Sequence, residues 1–342
     1  MGKKIGIGII ALLLLLSSLW LAQRLVMPKY QTKPLEGSLT AEYYRETLPH
    51  DLLFVGDCEV FSNISPITLY EKYGIVSYIR GSAQQLVWQS YYLLEDALKE
   101  DTPSVVVFNV LALKYGEPQN EAYNRMTLDG MRWGRAKLGA IRASMLEDEE
   151  LISYVFPLLR FHTRWSELTT EDVRCLFHKE PVSHSGYLLR ADVRPVTRTP
   201  TPAPLLDPHL PKESMEWLDR MATLCEQRGI TLVLMKSPSI EPYWYREWDA
   251  DVRAFAEEHG LWYTNMIAEN DEIGIDFSVD TCDMGQHLNV YGAEKLSEWF
   301  GAELKDRYNL PDRRTDAAYA AVWNEKTERY EKEKAAAIAA QN

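Results

Sequence analysis

The sequence predicts an α/β fold built on a parallel sheet, and two observations carry this prediction. First, short unbroken apolar runs of the kind seen in buried strands recur along the chain, beginning with residues 52–55 and 105–108. Second, longer segments with a helical period separate these runs, so that strand, helix and strand follow one another as in a βαβ unit. With 342 residues, the chain is long enough for one large α/β domain or two small ones.

The remaining elements can be assigned in chain order. Gly229 and Gly260 each close a helical segment and precede an apolar run, as expected where a helix ends and the chain returns to a sheet. The predicted elements are helix 40–48, strand 52–55, helix 67–73, a short extended piece at 76–79, helix 83–99, strand 105–108, helix 212–228, strand 230–235, helix 243–259, strand 261–265 and helix 291–308.

Two regions follow this alternation less well. Residues around 114–210 are predicted to form an irregular insertion between sheet strands, which could serve as a lid or a substrate wall. From Arg313 onward the chain is charged and alanine-rich without a broad apolar stripe, so residues 313–342 are predicted to be a solvated tail, helical or disordered. The main domain is therefore expected to comprise residues 37–312.

The N-terminus has the pattern of a membrane anchor. Lys3 and Lys4 precede residues 5–22, which are almost wholly apolar and just long enough to span a bilayer. The lysines favour a cytoplasmic N-terminus, so residues 1–36 are predicted to be a signal anchor with its linker. The alternative is a signal peptide cleaved after Ala22. Either way, the rest of the chain would lie outside the cytoplasmic membrane.

Charge and cysteine spacing argue against several classes of function. The formal net charge of -13 and the lack of a basic stripe argue against a nucleic-acid partner. No phosphate-binding glycine loop is found, and the four cysteines have neither CxxC nor metal-ligand spacing. No metal or other cofactor is therefore predicted.

The chemistry is concentrated in two short segments. Gly56 ends the first apolar run, and Asp57, Cys58 and Glu59 follow in a polar turn where a nucleophile could meet a substrate. Far downstream, Asp283 and His287 precede a helix. In parallel sheets, ligands bind at the C-terminal ends of strands, and Asn109 and Ser237 also follow such strands. We therefore expect the two segments to meet at this edge of the sheet.

These residues carry a resemblance to a known superfamily. Over roughly residues 51–308 the chain resembles the SGNH (GDSL-type) hydrolases, with Gly56-Asp57-Cys58 in place of their Gly-Asp-Ser block. It is similar to the membrane-anchored bacterial members that work beside membrane-bound O-acyltransferases, namely the D-alanine transfer proteins and the alginate-type O-acetyltransferases. The resemblance implies a three-layer α/β/α, flavodoxin-like fold with a central parallel sheet.

The resemblance also implies roles for individual residues. Cys58 would be the nucleophile, His287 the base and Asp283 the acid that orients the imidazole. Gly81 and Asn109 would contribute to the oxyanion hole, together with the backbone N–H of Cys58. Two departures stand out: the nucleophile is a thiol, which is itself a strong nucleophile, and the acid precedes the histidine by four positions rather than three.

Each residue also has a structural interpretation. Because of the four-residue spacing, Asp280 is kept as a second candidate for the acid. Cys58 could be a small buried hydrophobe or form a disulfide with Cys282, and His287 could cap a helix or lie in the core. Asn109 could simply end a strand, and Gly81 could serve only a turn.

The function expected from these observations is that of a membrane-anchored bacterial enzyme with an extracytoplasmic catalytic domain. It would be an SGNH-type O-acyltransferase or carboxylester hydrolase acting on a cell-envelope or secreted glycan, for example in O-acetylation. Its partners would be that glycan, the membrane and a membrane-bound O-acyltransferase. The alternative is a non-catalytic protein that binds the glycan or acts as a scaffold for the acyltransferase.

Overall fold

The sheet of the protein is wholly parallel within the part of the chain that the structure describes. The computed structural model describes residues 2–28, 36–177, 181–198, 201–240 and 244–341. Its strands run in the order β2-β1-β3-β4-β5, so β1 lies between β2 and β3. The strands are β1 (Leu52–Gly56), β2 (Ser77–Gly81), β3 (Val105–Asn109), β4 (Thr231–Lys236) and β5 (Trp262–Asn265).

Helices connect the strands and extend the chain at both ends. The α-helices are α1 (Gly2–Val26), α2 (Glu36–Glu42), α3 (Cys58–Asn63), α4 (Pro66–Tyr73), α5 (Val87–Ala97), α6 (Glu121–Leu128), α7 (Arg135–Ser144), α8 (Leu151–Val155), α9 (Leu158–Phe161), α10 (Thr170–Phe177), α11 (Lys212–Gln227), α12 (Arg246–His259), α13 (Asn270–Ile273), α14 (Val290–Arg307) and α15 (Ala317–Ala339). Short 3-10 helices lie at Tyr43–Arg45, Val110–Lys114, His162–Glu167 and Arg313–Thr315.

Both faces of the sheet are covered by helices. Alternate strand residues point to opposite faces, so Leu52 and Phe54 enter one core while Leu53 and Val55 enter the other. The first core is closed by α3, α4, α14 and α15, and the second by α5, α11 and α12. The prediction of a three-layer α/β/α fold with a central parallel sheet is confirmed, and the strand order is that of flavodoxin-like folds.

Two of the differences from the sequence prediction concern β2 and α3. The extended piece at 76–79 is a full edge strand, β2, whose residues pair with β1 from Leu52↔Ser77 to Gly56↔Gly81. Helix α3 was not predicted, because its six residues are too few to show a period.

The region around 114–210 is largely helical from 121 to 177, whereas its described residues from 181 to 210 contain no helix. Its helices α6 to α10 are short, so each shows too few turns for a clear apolar stripe. Asn124 and Arg125 hold it together: Asn124 donates to the Ser144 carbonyl oxygen at 2.8 Å, and the buried Arg125 pairs with Glu121 at 2.7 Å.

Helix α1 is long and apolar enough to cross a membrane, judged by length and composition. Its first twenty residues are largely exposed, whereas residues 22–28 are partly buried against the domain. There Arg164 donates to the Val26 carbonyl oxygen at 2.7 Å. Within the predicted linker, residues 29–35 lie outside the described part of the chain.

The C-terminal segment is helical but is not a solvated tail. Helix α15 packs on α4 and buries Tyr319, Trp323 and Tyr330, whose ring-bearing positions share one face of the helix. Trp323 contacts Tyr70 with ring centroids 5.1 Å apart. The sequence prediction of a solvated segment was wrong because three large aromatic residues, widely spaced among charged ones, are enough to dock a helix.

We predict that Trp323→Ala lowers the free energy of unfolding by about 3–5 kcal/mol, because the truncation removes a fully buried indole and leaves a cavity. Chemical denaturation of the full chain measures this. Glu328→Ala, an exposed position on the same helix, is the matched control and is expected to leave stability nearly unchanged. Equal stability of the two variants would show that α15 is not part of the core.

Candidate active site

The candidate site lies where successive strands are added to opposite sides of β1. From β1 the chain passes to β2 on one side, and β3 then pairs with β1 on the other side. In open parallel sheets the crevice at such a switch point, beyond the C-terminal ends of the strands, is where ligands bind. Cys58 follows β1 and Asn109 ends β3, so both stand at this crevice.

The turn after β1 presents the cysteine. Gly56 has a φ of 154°, which disfavours other residues, and a Cβ there would lie only 3.0 Å from the Asn109 Cβ. Asp57 caps α3 by accepting from the Glu59 N–H at 3.1 Å. Cys58 is therefore the first residue of α3, and its partly exposed side chain lines a cavity of about 160 Å³.

The second segment brings the His287 imidazole to the same cavity, with the Asp283 carboxylate bonded to it. Asp283 Oδ2 lies 2.5 Å from His287 Nδ1, and Asp283 Oδ1 accepts from the His287 backbone N–H at 2.7 Å. Met284 and Gly285 adopt positive φ angles of 65° and 91°. The resulting turn lets the side chains of Asp283 and His287 meet despite the four-residue spacing. Asp280 is instead paired with Lys295 at 2.6 Å. The carboxylate in contact with His287 is thus Asp283.

Cys58 and His287 line the same cavity and interact directly. Burial by itself would lower the pKa of His287, but the thiolate charge of Cys58, a hydrogen bond to Cys58 and the Asp283 carboxylate together raise that pKa well above its usual value. Burial would raise the pKa of Asp283, but the hydrogen bond and the charge of His287 lower it. The protonated form of His287 is therefore favoured beside the Asp283 carboxylate. Cys58 and Cys282 are both free thiols, so they are not paired as a disulfide.

Asn109 directs its side-chain amide at the nucleophile turn. It is fully buried, and its amide nitrogen donates to Asp57 Oδ1 at 3.0 Å and to Glu59 Oε2 at 2.9 Å. Its Oδ1 accepts from the Ser237 backbone N–H at 3.1 Å. Both amide hydrogens thus hold the nucleophile turn in place. The oxyanion role stays a prediction that would require these bonds to rearrange.

Gly81 packs beneath the same turn. A Cβ at this position would lie 2.8 Å from Val60 Cγ2 and 3.2 Å from the Gly56 carbonyl oxygen. The glycine therefore lets β2 approach the turn closely, but neither Gly81 nor Asn109 lines the cavity. Its oxyanion role also stays a prediction.

A buried charge network lies behind Cys58. Lys236, at the end of β4, pairs with Glu59 at 2.7 Å, and its Nζ also donates to the Ser237 carbonyl oxygen and to Ser239 Oγ. Burial, followed by repulsion from Glu59, raises the pKa of Asp57 to about 6. Lys114, which lines the cavity, opposes this rise.

Several residues of the site were not singled out from the sequence. Asn63 accepts from the Leu288 N–H at 2.8 Å and donates to Ser237 Oγ at 2.8 Å, which ties α3 to the histidine loop and to β4. A charged residue that completes a buried strand, Lys236, was a visible signal in the sequence. Gln84 lines the cavity with a positive φ of 49°, which nothing in its sequence context announces. The further lining residues are Asp57, Glu59, Leu111, Lys114, Tyr115, Ser239, Ile240 and Gln286.

The site shows no arrangement for a bound metal. Among the described residues, no group of three or more His, Cys, Asp or Glu side chains is placed to hold a metal ion.

Comparisons with known proteins give the fold little further context. No family model matches the sequence, and no curated protein matches it. A solved structure of a Bacteroides fragilis protein assigned as an acylhydrolase is similar over 78% of this chain and 94% of its own, at 11% identity and a TM-score of 0.39. A gut microbial diltiazem-metabolizing enzyme is similar over 75% of this chain and 46% of its own, at 12% identity and a TM-score of 0.27. At these values, function has to be inferred from the site itself.

We predict that Cys58→Ala lowers the pKa of His287, because the thiolate charge that favours its protonation is lost while burial continues to oppose it. Histidine NMR titration of the wild-type chain and the variant measures this, with His287→Gln used to assign the signal. Cys282→Ala is the matched control, since that buried cysteine lies next to the His287 backbone. An unchanged His287 pKa in Cys58→Ala would contradict the charge interaction between Cys58 and His287.

We also predict that Asp57 makes the protein less stable as the pH rises from about 4 to about 6. Because burial raises the Asp57 pKa to about 6, the folded state holds this proton more tightly than the unfolded chain. The resulting cost is about 3 kcal/mol above pH 6 and vanishes below pH 4. Asp57→Asn keeps Oδ1 as an acceptor and removes the charge, so it should be more stable than wild type at pH 8 but not at pH 4.

Denaturant titrations at several pH values test the Asp57 prediction. Asp271→Asn, at an exposed position, is the control and should follow the wild-type pH profile. A pH profile for Asp57→Asn that parallels the wild type would show that Asp57 is not the titrating group.

Proposed function

We propose that the protein is an acyl-transferring or ester-hydrolysing enzyme whose nucleophile is Cys58. The observation that carries this proposal is that Cys58 and His287 line one cavity at the switch point of the sheet, with Asp283 bonded to His287. A thiol, an imidazole and a carboxylate in this order form the arrangement that activates a nucleophile and handles its proton.

The chemistry would proceed in two steps. Cys58 Sγ attacks the carbonyl carbon of an ester, a thioester forms, and the alcohol leaves with a proton donated by His287. A second hydroxyl, from water or from a sugar, then gives its proton to His287 and attacks the thioester, which releases the thiolate. Asp283 holds Nδ1 of His287, and this leaves Nε2 to exchange protons at the reacting atoms.

The cavity favours a small acyl group. Its volume of about 160 Å³ is below the roughly 300–1,000 Å³ of typical ligand pockets. Leu111 and Ile240 supply apolar wall, while Gln84 and Lys114 supply polar groups. A short acyl chain would fit, and the bulk of the acceptor would remain outside.

The setting of the reaction is part of the proposal. Helix α1 would anchor the chain in the bacterial cell membrane with its N-terminus in the cytoplasm and the catalytic domain outside. A cell-envelope or secreted glycan would be the acceptor, and a membrane-bound O-acyltransferase would supply acyl groups. These partners follow from the resemblance described above.

One observation favours the second candidate, a non-catalytic glycan-binding or scaffold protein. Asn109 donates both amide hydrogens to the carboxylates of Asp57 and Glu59, so it offers no donor to a developing oxyanion in this arrangement. A scaffold would retain the fold and the cavity without acylation.

Acetylation of the full chain separates the two functions. On exposure to p-nitrophenyl acetate in detergent micelles, wild type should gain one acetyl group by intact-mass analysis. Cys58→Ala should gain none. His287→Ala should react at least about 100-fold more slowly, because a general acid–base is lost. Cys282→Ala is the control and should react like wild type. Equal acetylation of wild type and Cys58→Ala would favour the scaffold.

A further inference from the structure

A run of short helices next to α1 turns large apolar side chains outward. Helices α8, α9 and α10 and the 3-10 helix His162–Glu167 lie within residues 151–177, here called the 151–177 surface. Its outward apolar residues are between 40% and 81% exposed, whereas most side chains of their type are buried. They are Ile152, Val155, Phe156, Leu159, Trp165, Val173 and Phe177.

The spacing of these residues is that of an interface. Ile152, Val155, Phe156 and Leu159 stand at i, i+3, i+4 and i+7, the spacing of an apolar helix face, which is here divided between α8, ending at Val155, and α9, beginning at Leu158. In a soluble domain that face points to the core, but here it is the neighbouring Tyr154 that enters the core. A sustained apolar face exposed at the surface marks an interaction site.

The position of the surface identifies what it meets. The C-terminal end of α1 packs on α9, on the 3-10 helix and on α10, where Arg164 joins the Val26 carbonyl oxygen to Asp172. The preceding part of α1 projects from the domain without packing on it. The 151–177 surface therefore lies at the level where α1 would leave a bilayer.

The charge of the surface suits a lipid interface. The chain carries a net charge of -13, but residues 151–177 contain three arginines and three acidic residues, so this segment is neutral. The surface is thus spared the repulsion that the rest of the protein would meet at an anionic membrane. Trp165 adds an amphipathic ring of the kind enriched at membrane–water boundaries.

We propose that the 151–177 surface lies in the headgroup layer of the leaflet from which α1 emerges, with lipid as its occupant. Helices of this type lie in the plane of the interface, with the apolar face about 5–10 Å into the headgroup and acyl boundary. Together with α1, the surface gives the domain a second attachment, which fixes its tilt and hence the direction in which the Cys58 cavity opens. This inference rests on the proposed insertion of α1.

Photolabelling in vesicles tests the proposal. The full chain is reconstituted, with no other protein, into phosphatidylcholine vesicles containing a phosphatidylcholine with a diazirine near the acyl carbonyl, and labelled peptides are mapped by mass spectrometry. Label is expected in α1 and in residues 151–177. The variant Ile152→Gln/Phe156→Gln/Leu159→Gln changes only exposed positions, and label in residues 151–177 should fall about tenfold while that in α1 is retained.

A control variant and the alternative outcomes keep the test decisive. Leu206→Gln changes a fully exposed leucine outside the surface and should leave both labels unchanged. Label in α1 alone would overturn the proposal, as would cross-linked dimers through residues 151–177, which would assign the surface to a second copy. Absence of both labels would overturn the proposal and the insertion of α1 together, while the acetylation of Cys58 reports on the enzyme independently.

Discussion

The site depends on one buried ion pair, between Glu59 and Lys236. Removing two charges from water costs several kcal/mol per ion, and this cost is recovered only where the pair is close and its remaining hydrogen-bonding groups are satisfied. Here the distance is 2.7 Å, Lys236 makes two further bonds and Glu59 also accepts from Asn109. Because Glu59 follows Cys58 directly, the pair sets the position of the thiol relative to β3 and β4.

A second tie connects the nucleophile to its base. Asn63, at the end of the helix that begins with Cys58, bonds to the backbone of Leu288, the residue after His287. The short helix is thus anchored at one end by carboxylates and at the other by an amide, and the imidazole is carried on the same framework. The thiol and the ring meet because two parts of the chain share these few polar contacts rather than because of apolar packing alone.

The sequence supported some of these conclusions and not others, for physical reasons. The inner strands β1, β3 and β4 could be predicted because strands buried on both faces are unbroken apolar runs, whereas the partly buried edge strand β5 was located by Gly260, which closes the helix before it. Strand β2 was underestimated because Arg80 interrupts its run. Cys58, Asp283 and His287 could be placed at strand and helix boundaries. The partners of Asn109 could not, since the Asp57 and Glu59 carboxylates and the Ser237 backbone N–H meet it only in the fold. The docking of α15 and the outward face of residues 151–177 likewise depend on which surfaces of the fold lie next to these helices. The hydrophobic period of the sequence does not contain this information.

The strand order also has a consequence for how the molecule is built. Strands β1, β2 and β3 pair with one another within residues 52–109, so the first half of the sheet can form from contacts that are close in sequence. Pairing of β3 with β4 must close the chain from position 110 to position 230, which is a slow, non-local step. Glu59 therefore gains its partner Lys236 only when β4 has paired with β3, and His287 lies later still along the chain. During synthesis, the thiol is expected to emerge and fold into a half-sheet well before the groups that activate it, so the cysteine gains its reactivity only when the domain is complete.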